Sequence, residues 1–182
     1  MRRIAVTGGV GEGKSTVLRY IHEMGIPTIA SDVIARKVFH MSEVQQQLAE
    51  ATGLDMPIDP EHLRDAFTRV PLLRRTLNRV MHPLIRTELI TSPACVAEIP
   101  LLFETCMQDD YDCVWVVTCG PDEQLRRVAA RLGGEAAATR LIATQIPTRA
   151  KIPFADRVVR TNGPEDAVLD YVSEVIRLDL AE

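Results

Sequence analysis

The chain has 182 residues, 46% of them hydrophobic and 25% charged, with a formal net charge of −4. A chain of that length forms one domain with room for an inserted subdomain and buries roughly 70% of its unfolded surface, so its core needs no staple. The mild acidity argues against a bulk nucleic-acid binder, and no apolar run approaches the length of a membrane span.

The first predicted element is a short buried strand, Arg3 to Thr7, cut off by Gly8-Gly9. The same glycines stop the apolar run after Met1-Arg2-Arg3 far short of a signal-peptide core, so a cytoplasmic location is expected. From Lys14 the period turns helical, with Val17, Tyr20, Ile21 and Met24 on one face and Gly25 ending it. Pro27 to Ala30 reads as a second strand, and Ser31-Asp32 opens a helix. Strand, glycine loop, helix, strand is the βαβ opening of an α/β fold with a parallel sheet.

Between residues 33 and 92 the pattern predicts helices only: Ser42 to Ala51, Asp59-Pro60 to Phe67, Leu72 to Val80 and Pro83 to Ile90. Three strands follow, Ala94 to Ile99, Cys113 to Cys119 and Arg157 to Val159, with arginine-rich helices Asp122 to Leu132 and Glu135 to Gln145 between the last two. Val168, Tyr171, Val172 and Val175 place an apolar stripe on a C-terminal helix. The four cysteines, Cys95, Cys106, Cys113 and Cys119, lack metal-site spacing and read as reduced and mostly buried. Trp115, among valines, belongs to the core.

Gly8-Gly9-Val10-Gly11-Glu12-Gly13-Lys14-Ser15 matches G-x-x-x-x-G-K-[ST] in full, after a strand and at the start of a helix. The glycines let backbone N–H groups turn inward around phosphate oxygens, and the helix adds its positive end. Lys14 is placed to reach the β- and γ-phosphates of ATP, and the Ser15 hydroxyl to ligate Mg²⁺. Glu12, an acid beside a polyanion, is expected to point outward.

A phosphate loop alone fits GTPases, motor ATPases and small-molecule kinases. Further segments decide among them: Ser31-Asp32-Val33-Ile34-Ala35-Arg36, His82-Pro83-Leu84-Ile85, Ile99-Pro100-Leu101-Leu102-Phe103-Glu104, and Gln124-Leu125-Arg126-Arg127 with Arg131. Gln145 with Lys151 and Ala155-Asp156-Arg157-Val158-Val159 complete the set. In this order, over nearly the whole chain, they resemble the dephospho-coenzyme A kinases. The resemblance implies a doubly wound parallel sheet of the P-loop kinase type, with core segments 1–31, 93–121 and 155–182. It further implies a helical acceptor-binding insertion over 32–92 and an arginine-bearing lid over 122–154. The implied reaction is phosphoryl transfer from ATP to the ribose 3′-hydroxyl of dephospho-coenzyme A, with Mg²⁺ and without nucleic-acid or membrane partners. Implied nucleotide contacts are Gly11, Glu12, Gly13, Lys14, Ser15, Thr16, Arg127 and Asn162. The chain departs from the family pattern at Ala30-Ser31-Asp32, where only the second aspartate remains, at Asp59-Pro60, and at Thr161-Asn162-Gly163, where the asparagine is displaced by one.

Asp32, following the second strand, can orient or accept the acceptor hydroxyl's proton, or cap a helix. Arg127 and Arg131 share a helix face, so they meet phosphate oxygens or form a solvated basic face on which Arg131 pairs with Glu135. Lys14, Asp32 and Arg131 are the catalytic candidates, Lys151 a second lid cation. His82 touches the acceptor or closes a helix; Glu104 touches the acceptor, binds a Mg²⁺ water or caps a helix; Glu98 ends its strand in Walker-B fashion. Two other readings stand beside this one: a kinase of the same fold acting on a nucleotide, gluconate or shikimate, and a nucleotide-gated switch, which would want an N-K-x-D-like motif that the chain lacks.

Overall fold

The computed structural model describes residues 2–63 and 72–181. In chain order the elements are β1 (Ile4–Thr7), α1 (Lys14–Glu23), β2 (Thr28–Ala30), α2 (Ser31–Phe39), α3 (Ser42–Thr52), α4 (Leu72–Thr91) and β3 (Val96–Glu98). There follow β4 (Cys113–Thr118), α5 (Pro121–Leu132), α6 (Glu135–Ile142), α7 (Thr148–Lys151), β5 (Arg157–Arg160) and α8 (Glu165–Ala181). They fall into two compact units, Met1–Ala30 with Pro93–Glu182, and Ser31–Ser92.

In the first unit the strands form a five-stranded sheet in the order β2-β3-β1-β4-β5, every pair parallel. Ile4, Val6, Cys113, Trp115 and Val117 alternate onto one face, where they join Val17, Tyr20 and Ile21 of α1 and Val168, Val172, Val175 and Ile176 of α8. Ala5, Val114 and Val116, the intervening residues, are buried as well. Both faces are therefore covered, as a parallel sheet requires, and the strands read in sequence as unbroken apolar runs. Tyr171, expected in the α8 stripe, is more than a third exposed. The stripe instead runs Val168, Val172, Val175, Ile176 and ends on a buried acid, Asp179. In register Val6 lies beside both Glu98 and Trp115, and Ala30 beside Glu98, so the carboxyl ends of β1, β2 and β3 share one edge. Ligands of doubly wound folds bind at that edge, where the order reverses about β1.

Among its described residues the second unit holds helices and connecting loops and no strand. α4 packs against α2 and α3, and Ile34, Val38, Phe39, Val44, Leu48, Met81 and Leu89 are buried. Gln45 ties the turn after α2 to the next loop: its amide donates to the Phe39 carbonyl at 2.7 Å and its oxygen accepts from Ile58 N–H at 2.7 Å. Asp59 accepts from Glu61 N–H at 2.8 Å, which fits the expected helix start, and the remainder of that predicted helix lies outside the described residues. The two helices predicted on either side of His82 are one, α4, with Pro83 inside it. An interior proline costs about 3 kcal/mol. Burial of Met81 and Leu89 on the packed face offsets a cost of that size, at about 1.5–3 kcal/mol each.

Candidate active site

The chain leaves β1 through Gly8, whose φ is +147°, and a Cβ there would collide with the Val117 carbonyl oxygen of β4. Gly13, at φ +91°, stands just before α1, and its Cβ would come within 2.8 Å of Thr161 Oγ1. Only glycine meets both demands, a left-handed backbone and close approach. α1 has no side-chain N-cap bond, so the donors of its first turn are left for a ligand. Among the described residues, Gly11, Gly13 and Ser15 N–H have no protein acceptor, whereas Gly9 N–H donates to Thr148 Oγ1 at 3.0 Å and Val10 N–H to Gln145 Oε1 at 2.9 Å. Lys14 is buried, and its ammonium crosses the loop to the Gly9 carbonyl oxygen at 2.9 Å. Ser15 is exposed and Thr16 half-buried on the first turn of α1. Amides without protein acceptors, a cation and a helix N-terminus on one glycine loop make a site for a phosphate polyanion.

Glu12 does not point outward: it is 1% exposed. Its Oε2 accepts Cys119 N–H at 2.5 Å, where strand pairing stops and that donor needs a partner. Its carbonyl accepts the Thr161 hydroxyl at 2.7 Å. The side chain is thus a strut between the loop and the end of β4. Burial, with the Glu12 charge next in size, pushes the Cys119 thiol up to about 12, which keeps it protonated.

Arg127, on α5, is half-buried and held from two sides. Its Nε donates to Glu123 at 2.7 Å; Nη1 and Nη2 donate to Thr161 Oγ1 at 3.2 Å and Thr161 O at 2.7 Å. Thr161 thereby joins Arg127 to the phosphate loop, with exposed Asn162 next along the chain. Arg131, one turn along α5, is exposed, and among the described residues it makes no ion pair, with Glu135 or otherwise.

Lys151 departs from the expected lid cation: it is 1% exposed, with Nζ 2.9 Å from Glu104 Oε1 and 3.2 Å from the Pro100 carbonyl oxygen. Glu104 caps no helix. It accepts Ile146 N–H at 3.0 Å as well as the Lys151 ammonium. A buried ammonium needs a carboxylate more than a surface one does, which is why the pair forms inside. Asp32 and His82 belong to the second unit, and both are exposed. Asp32 is the second residue of α2, inside its first turn rather than at a cap, and His82 lies within α4 and closes no helix.

The residues that grip the loop from outside, Thr148, Gln124 and Thr161, carry no role in the sequence reading. Gln124 Nε2 donates to Val10 O at 2.9 Å. Pro147 before Thr148 hints at a helix start, but nothing in the local sequence says which backbone its hydroxyl meets.

A family model described as dephospho-CoA kinase matches residues 2–166. A dephospho-CoA kinase of Synechococcus sp. is 33% identical, the match covering 97% of this chain and 93% of that one. The dephospho-CoA kinase of Escherichia coli K12 is 32% identical over 96% of this chain and 90% of its own. Among solved structures, TT1252 from Thermus thermophilus has a TM-score of 0.82 at 26% identity, covering 98% of this chain and 97% of that one.

Proposed function

This chain belongs to the dephospho-CoA kinase family, and on that premise we infer that it transfers the γ-phosphoryl group of ATP to the ribose 3′-hydroxyl of dephospho-coenzyme A, giving coenzyme A and ADP. The observation that carries the reading is a single match over residues 2–166, which takes in the phosphate loop and both units.

The Gly11, Gly13 and Ser15 amides and the Lys14 ammonium take the β- and γ-phosphates, Lys14 exchanging the Gly9 carbonyl for phosphate oxygen. Arg127, Thr16 and Asn162 complete the nucleotide contacts. Magnesium keeps several waters and asks for few protein ligands, so the exposed Ser15 hydroxyl suffices beside the phosphates; among the described residues no cluster of His, Cys, Asp or Glu offers an alternative cage. When bound, the ion supplies charge neutralisation at the phosphate oxygens. Asp32, exposed and without a hydrogen-bond partner among the described residues, orients the 3′-hydroxyl and accepts its proton. Arg131 offsets charge on the transferring group. In the acceptor region, 32–92, His82 contacts the acceptor, while Glu104 acts through the Pro100–Glu104 turn it fastens. In this reading the core comprises 1–31, 93–121 and 155–182 and the lid 122–154, with Lys151 a buried tie in the lid rather than its second cation. Among the described residues no helix is long and apolar enough to cross a membrane. Free thiols at Cys95, Cys106, Cys113 and Cys119 support a reducing cytoplasmic setting.

The test is purified protein with ATP, Mg²⁺ and dephospho-coenzyme A, followed for coenzyme A by mass, beside an acceptor panel of nucleosides, gluconate and shikimate. Turnover of another acceptor with no coenzyme A formed overturns the assignment.

A further inference from the structure

Gln145 to Lys151 does two jobs within seven consecutive positions. On one side it holds the phosphate loop: Thr148 Oγ1 takes Gly9 N–H at 3.0 Å, in a buried bond, and Gln145 Oε1 takes Val10 N–H at 2.9 Å. On the other it is anchored to the turn after β3, through Ile146 N–H to Glu104 at 3.0 Å and through the fully buried Lys151 to Glu104 and Pro100 O. Gly9, the residue that Thr148 grips, also carries the carbonyl on which the Lys14 ammonium rests at 2.9 Å. A continuous chain of bonds therefore runs from the Lys151–Glu104 pair, through Thr148, to the cation of the phosphate site.

We propose that Thr148 and Gln145 are positioning residues for ATP. They hold the Gly9 and Val10 amides outward, so that the Gly11, Gly13 and Ser15 amides and Lys14 face the phosphates, and the Lys151–Glu104 pair fixes the segment that carries them. The geometry favours this over a purely architectural role, because both grips fall on loop amides and neither on the sheet. Without those outer acceptors the glycine-rich backbone has several arrangements to choose from, only one of which presents the remaining amides to the phosphates. The proposal rests on the reading of the loop as an ATP site.

Thr148→Val keeps the shape of the side chain and removes the acceptor. The expected result is a rise in KM for ATP of about tenfold, the scale of one lost hydrogen bond to a buried group, since phosphate contacts made equally in ground and transition states appear in KM. KM for dephospho-coenzyme A should stay within about twofold and kcat within about threefold, because the change is in uniform ATP binding. Thr148→Ser should restore KM, and Gln145→Leu should raise it in the same sense. ADP affinity, measured by calorimetry on the same proteins, should fall in parallel. An unchanged ADP affinity in both Thr148→Val and Gln145→Leu overturns the proposal, as does a Thr148→Ser protein no better than Thr148→Val. If wild type makes no coenzyme A yet the ADP series behaves as described, the acceptor assignment fails and the brace stands.

Discussion

β4 is bound near each end by a buried carboxylate, and the two carboxylates serve different purposes. Near the amino end Asp179, 2% exposed, receives Trp115 Nε1 at 2.7 Å, Cys113 Sγ at 3.3 Å and Arg157 Nη2 at 2.8 Å. At the carboxyl end Glu12 receives Cys119 N–H, and through its own backbone joins Thr161 and Arg127. The first network closes on itself beneath α8. The second opens onto a loop whose Gly11, Gly13 and Ser15 amides have no protein acceptor among the described residues. Burial of a charged group marks importance in both places, and only what lies next to it separates a structural tie from part of a site.

The widest separation of the two ends comes from Lys14→Ala. It removes the motif-placed cation from the phosphates, and transfer should fall by ~10³-fold or more, the scale on which electrostatic stabilisers of a transferring phosphoryl group act. Folding should survive, since Lys14 opens α1 and its Nζ bonds the Gly9 carbonyl of the loop rather than the sheet. Undiminished kinase activity in this variant would remove the loop from the active site altogether.

Asp32 offers a third kind of acid, exposed rather than buried. Asp32→Asn keeps size and removes charge and proton acceptance. Single-turnover transfer to dephospho-coenzyme A should slow by roughly 10²-fold, with ATP binding intact; the loose transition state makes positioning weigh more than early deprotonation. Ala30 leaves no neighbouring aspartate at that strand end to substitute. A rate within about threefold of wild type is too small for a general base and returns Asp32 to a surface role.

At the amino end of β4 the expected effect is on stability alone. Burial raises the Asp179 pKa, but the hydrogen bonds from Arg157, Trp115 and Cys113 outweigh it and leave the group below its ordinary value. A depressed carboxylate contributes stability above its unfolded pKa of about 3.9, and that contribution is lost as pH falls through the folded value. Asp179→Asn should therefore destabilise by ~2 kcal/mol at neutral pH, as for hydrogen bonds to a charged group, and the gap to wild type should narrow below about pH 4. Urea denaturation from pH 7 to pH 3 reads both. KM for ATP should not move; a tenfold rise would mean that the two ends are coupled through β4.

The contrast also explains what was legible in the residues. Unbroken runs such as Cys113 to Thr118 announce a strand covered on both faces, and the glycine pattern with Lys14 announces the loop, because each is a local demand of backbone and burial. Pro83 misled, since tertiary packing of α4 outweighs a local penalty. Glu12, Asp179, Thr148 and Lys151 were beyond reach. Their partners lie 107, 64, 139 and 47 positions away, and no spacing rule spans such separations.

The smallest expected effect is the sharpest test of the strut. Glu12→Gln keeps an oxygen for Cys119 N–H while removing the negative charge from a loop that must hold a polyanion. If the side chain only ties the loop to β4, the amide oxygen can do the same, with a modest cost of ~1 kcal/mol because the new NH₂ group is buried where only an acceptor was needed. KM for ATP should remain equal to wild type or fall slightly, since a like charge near the phosphates has gone. Glu12→Ala, in contrast, leaves Cys119 N–H unpaired inside the protein and should cost more in stability than Glu12→Gln. Thermal unfolding of the three proteins with and without ADP, together with initial rates across ATP concentration, measures each quantity. A Glu12→Gln protein with KM for ATP raised tenfold would show that the charge itself shapes the site, and the two ends of β4 would then differ in kind rather than in what lies beside them.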